Sequence, residues 1–155
     1  MSDSTSNVKQ SITEQEHAVF MASLRIGNGF LTTIQFQADK ATETIDHLRP
    51  YFEATSQSQP DEKTIYQVLN ALAQRLAIMD QLIESIEDNN ALTQAVGYPL
   101  DRATAMIELL RAYFAPSCPM QPDDKTVYHA LSSVLLELVT MQKAINEYKK
   151  VNDQA

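Results

Sequence analysis

The sequence predicts an all-α protein. It reads as a pseudo-symmetric four-helix bundle built from two tandem helical hairpins, with one further helix on the N-terminal side. Three observations predict this. Only three of the 155 residues are glycine, too few for the many tight turns of an all-β fold. Apolar residues recur at three- and four-residue spacings, the period of a single helix face. The chain also repeats itself: PDEKTIY begins at Pro60 and PDDKTVY at Pro122, an offset of 62 residues.

At that offset residues 41–86 align with 103–148 without a gap, and 17 of the 46 pairs are identical. They include Ala41, Ile45, Leu48, Arg49, Tyr51 and Phe52 with Ala103, Ile107, Leu110, Arg111, Tyr113 and Phe114. ADKAT at 38 also lines up with LDRAT at 100. A 62-residue period matches no common short solenoid repeat, and two units are too few for one. Two hairpins that close their apolar faces on each other are the economical solution.

Taken in order, residues 1–11 are rich in Ser and Thr and read as a mobile tail. Residues 12–28 read as an N-terminal helix, with Thr13 as cap, Glu16 three residues on, and Val19, Phe20 and Leu24 on one side. GNG at 27–29 interrupts it. Hairpin copy one spans 29–88. Its opening, FLTTIQF at 30–36, suits either a short strand or a helix. Phe30, Ile34, Ala38, Ala41 and Ile45 favour the helix, because they share one helical face. Asp39 and Asp101 are placed to cap or charge-stabilise the first arms. Pro50 should bend or stop the first of them.

PDEKT and PDDKT read as two copies of one helix-start signal. Proline suits the first turn, and acids there face the positive end of the helix dipole. The second arms carry the stripes Ile65, Leu69, Leu72, Leu76, Met79, Ile83, Ile86 and Val127, Leu131, Val134, Leu138, Met141, Ile145, Tyr148. Such spacing suits near-antiparallel packing. Asn, Gly and Pro mark Glu87–Pro99 as the main connection, so hairpin copy two is expected over 98–150.

The two copies differ in a consistent direction. Glu43, Thr44 and His47 become Ala105, Met106 and Leu109; Ala73, Gln74 and Ala77 become Leu135, Leu136 and Val139. Copy two therefore has the wider apolar surface, to be covered by the N-terminal helix or by a second chain. Met106, Leu109, Leu135, Leu136 and Val139 are the expected interaction surface. Charge is uneven as well. Residues 41–88 hold nine acids and three bases, a net of −6, whereas 103–155 hold six and five, a net of −1.

The total charge of −8 argues against nucleic-acid binding, which needs cations to displace phosphate counterions. No apolar run is long enough to span a membrane. The one cysteine, Cys118, cannot form an internal disulfide, and no secretory apolar run opens the chain. A cytoplasmic location is expected.

No constellation for chemistry assembles. Glu43 and His47 lie one turn apart, but the spacing is not the Glu-x-x-His of carboxylate metal bundles, and copy two lacks both residues. Glu84, Glu87 and Asp88 cluster in a polar window. No nucleophile elbow and no phosphate-cradling glycine motif occurs. No metal, cofactor or catalytic residue is assigned. Arg49, Tyr51, Arg111 and Tyr113, present in both halves, are candidate contacts for an anion or small ligand; arginines lying along the bundle and paired with acids are the plainer reading.

The expected function is a non-catalytic interaction protein, of adaptor, chaperone or regulator type, with a protein partner and a homodimer through copy two as one form. Two alternatives remain: a small-molecule binder or enzyme with a pocket between the hairpins, and an acidic mimic that occupies a basic protein.

Overall fold

The structure is a computed structural model and describes residues 29–53, 59–86, 91–118 and 122–154. The expected mobile tail 1–11 and N-terminal helix 12–28 lie outside the described residues. Four helices follow one another: α1 Gly29–Leu48, α2 Glu62–Glu84, α3 Ala91–Phe114 and α4 Asp124–Gln154. A short 3-10 turn, Arg49–Phe52, closes α1. Each helix packs on the next, and α1 closes the ring onto α4. The α3–α4 contact is the most extensive and α1–α4 the least. Arg49 reaches Ser132 while Lys149 reaches Thr32, so α1 and α4 run antiparallel.

The stripes expected from periodicity form the core. Ala41, Ile45, Leu69, Leu76 and Met79 are at most 1% exposed, and so are Ala103, Ile107, Leu131, Leu138 and Met141, the residues 62 positions on. Each large aliphatic buried this way contributes about 1.5–3 kcal/mol. Residues 30–36 are helical, which settles the ambiguity of FLTTIQF. Leu31, Ile34 and Ala38 enter the same core as Ala41 and Ile45. Two polar side chains are buried with them. The Thr33 hydroxyl donates to the Gly29 carbonyl at 3.0 Å, and Gln37 Oε1 accepts from Arg75 at 2.7 Å.

Several local expectations need correction. Glu87–Pro99 is not a long connection: α3 starts at Ala91 and runs through Gly97 and Pro99. α3 thus starts seven residues before 98, where the second hairpin was expected to open, and α4 continues past 150 to Gln154. Val96, Pro99, Leu100 and Ala103 are buried in sequence along α3. That continuous apolar stripe offsets the roughly 3 kcal/mol an internal proline costs. Asp39 and Asp101 consequently sit inside α1 and α3 and cap neither.

Pro60 precedes the first turn of α2 instead of entering it. The cap is Asp61, whose carboxylate accepts the Thr64 amide at 2.8 Å, and Asp123 accepts the Thr126 amide at 2.8 Å. In both cases the amide that the cap receives belongs to the threonine at the third helical position. Pro50 does stop α1, by turning it into the 3-10 segment. The stripes fade at their ends. Ile86 lies past α2 and is half-buried, and Tyr148 is 37% exposed.

Candidate functional site

The outer face of the α3–α4 hairpin carries three of the seven exposed large apolar side chains among the described residues. Leu109 is 53% exposed, Leu136 65% and Val139 51%. Helical geometry explains the split within the five predicted residues. Met106 and Leu135 flank the buried stripes and are half-buried against the core, whereas Leu109, Leu136 and Val139 lie further round and face outward. A groove of about 420 Å³ runs between the two helices, lined by Ala105, Met106, Leu109, Ser133 and Val134. At one end Arg102 grips Glu137 with two bonds, 2.9 and 3.1 Å long. That contact pushes the Arg102 pKa above its ordinary value.

The other four candidates sit at one end of the bundle. Arg49 turns onto α4, where it donates to Ser132 at 3.3 Å, approaches Asp46 at 3.8 Å and stacks over Tyr128 at 5.5 Å. Arg111 turns onto α2, donating to Asn70 at 3.2 Å and pairing with Glu108. Tyr51 is exposed and Tyr113 half-buried. Both guanidiniums therefore have partners within the fold, and none of the four residues lines the clefts at this end.

Sequence reasoning missed those clefts. One, of about 970 Å³, is lined by Phe52, Asp124, Lys125, Tyr128 and His129 among others. The second, of about 550 Å³, is lined by Phe114, Glu62, Lys63, Tyr66 and Gln67 among others. Between them Phe52 meets Phe114 edge to face, with centroids 6.2 Å apart. The signal was present, because each of these residues is paired with its counterpart by the 62-residue offset.

The chain matches no family model, no curated protein and no solved structure.

Of the polar window Glu84, Glu87 and Asp88, Glu84 lies beside Asp80. Burial pushes the Asp80 carboxyl above its ordinary value, with Glu84 and Asp101 adding repulsion. Glu87 and Asp88 lie outside the described residues. His47 hydrogen-bonds the Glu43 carbonyl through Nδ1, 2.7 Å away. Among the described residues, no three His, Cys, Asp or Glu side chains converge as metal ligands, and no helix is long and apolar enough to cross a membrane.

Proposed function

We propose that this is a non-catalytic, cytoplasmic helical-bundle protein that acts by binding another protein chain through the outer α3–α4 face. We further propose that its architecture is a pseudo-two-fold pairing of duplicated hairpins.

The pairing is supported by reciprocity. The helix starts at Glu62 and Asp124 are 62 residues apart. Arg49 of the first half bonds Ser132 of the second; Arg111 bonds Asn70, and 70 and 132 are again 62 apart. Contacts of i with j and of j with i are the mark of a two-fold interface. A residue on such an axis meets its own counterpart, as Phe52 meets Phe114. Phe36 and Tyr98, another pair at this offset, are exposed to 50% and 58%.

The functional reading is carried by one observation: Leu109, Leu136 and Val139 are exposed where the other copy places His47, Gln74 and Ala77. Copy one forms its hairpin without a large apolar side chain at these positions, with only the alanine methyl of Ala77 in place of Val139. The first hairpin packs without large apolar groups there, and this surplus on the second supports a partner surface.

Site-specific photo-crosslinking tests this. p-Benzoylphenylalanine at the position of Leu109 or Leu136 is expected to yield protein adducts in the cell. The same probe at His47 or Gln74 should yield far fewer. Equal or absent labelling at all four positions overturns the reading.

A further inference from the structure

Resting on that reading of the α3–α4 face, we infer that its occupant is a second copy of this chain, packed face to face about a two-fold axis. Charge selects this partner. Two copies that meet through their first halves bring a net of −6 on residues 41–88 against another −6. The second halves, at −1 each on 103–155, meet without that repulsion. The contact surface itself is nearer neutral still. From Thr126 to Gln142 the only Asp, Glu, Lys or Arg is Glu137, and it is already bonded to Arg102. On α3, Glu108 is paired with Arg111. The face thus offers apolar side chains bordered by internally neutralised ion pairs.

A basic partner would find its counter-charge on the first hairpin, not here. A like chain, acidic elsewhere, is admitted at this face and disfavoured at the others. Charge therefore sets the orientation while apolar burial supplies the driving force.

The area is adequate. α3 has 24 residues, so at about 1.5 Å each it is ~36 Å long. Two such helices side by side, each about 10 Å across, present roughly 700 Å², close to the ~800 Å² per partner of a stable complex. Two-fold packing lets each Leu136 and Val139 meet the same patch on the other copy, which is how one exposed face covers itself.

Light scattering on the full-length protein, from about 1 to about 200 μM, tests the inference. The expected mass is twice the 17.4 kDa of one chain. Leu136→Glu, at an exposed helical site, should return it to one chain with an unchanged helical spectrum. Leu109→Glu should do the same. Gln74→Glu adds the same charge at the corresponding place on the first hairpin and should leave the dimer intact. Raising salt should not dissociate it, because no ion pair holds the copies together.

A monomer across the whole range overturns the inference. So does a dimer that survives both leucine substitutions, or one that Gln74→Glu abolishes. A monomer whose Leu136 position still crosslinks to a different protein removes the second copy and leaves the proposed function standing. Absence of any adduct removes that function.

Discussion

Asp80 sits half-buried on α2, with Glu84 one turn along and Asp101 nearby on α3. Burial, then these two acids, hold its pKa above the ordinary 3.8. In the window between 3.8 and the folded value, the native chain binds more protons than the unfolded one. Stability therefore falls as pH rises through that window, and the cost is complete at neutral pH. The capping carboxylates act in the opposite sense. Thr64, through its hydroxyl and then its amide, lowers the pKa of Asp61; the Thr126 amide, then its hydroxyl, lowers that of Asp123. Their contribution is present above 3.8 and is lost as pH falls through the lowered folded values. Asp80→Asn should therefore raise Tm at neutral pH, with the gain disappearing below the ordinary carboxylate range. Asp61→Ala should lower Tm at neutral pH by a few degrees, and the penalty should fade only in stronger acid. Thermal melts across the acid range read both. An Asp80→Asn gain that persists unchanged in acid would assign the effect to packing instead of charge.

At the scale of elements, α3 shows what local sequence signals cannot weigh. Gly97 and Pro99 are breakers in isolation, and they predicted a connection. What outweighs them is the stripe Val96, Leu100, Ala103, Ile107, whose burial is a tertiary gain invisible to any local rule. The same stripe was legible in α1, where no breaker obscured it, and FLTTIQF was correctly preferred as helix. The caps were legible as a signal but misplaced by one residue, because Pro and Asp can each open a helix and only backbone geometry decides between them. Of the candidate site, the apolar surplus of copy two was legible as a difference between aligned positions. Its division into half-buried Met106 and Leu135 and exposed Leu109, Leu136 and Val139 required the helix rotations. The partners of Arg49 and Arg111 required the fold. Gly97 itself yields a clean prediction. A Cβ added there meets nothing within 4 Å, and its φ lies outside the left-handed range. Gly97→Ala should therefore stabilise the protein by about 0.5–1 kcal/mol, through the entropy of the unfolded chain. Urea titration should show the midpoint rise with an unchanged slope. A fall would mean that α3 needs its flexibility beside Pro99.

For the whole molecule, the ring of four helices is not closed evenly. The α3–α4 and α2–α3 contacts are broad, whereas α1 meets α4 over a smaller area. That seam is bridged by a ladder of polar side chains. Lys149 donates to Thr32 at 3.1 Å and to Gln35 at 2.6 Å, Gln35 donates to Asn146 at 2.7 Å, and Gln142 donates to Asp39 at 2.7 Å. Bonds of this kind contribute only about 0.5–1.5 kcal/mol each, and less where water competes for the same groups. They fix the register of α1 on α4 more than they fasten it. The apolar stripe of α1 does the fastening, and it is shared mainly with α2. Opening α1 away from α4 consequently exposes less apolar surface than separating α3 from α4. Native-state hydrogen exchange should resolve the difference: amides of α1 should exchange through a sub-global opening, while those of α3 and α4 exchange only by global unfolding. Raising denaturant should leave the α1 rates nearly flat at first and then merge them with the rest. Should α1 amides instead track those of α3 and α4 at every denaturant concentration, the polar seam is as cooperative as the apolar ones and the two hairpins open as a single unit.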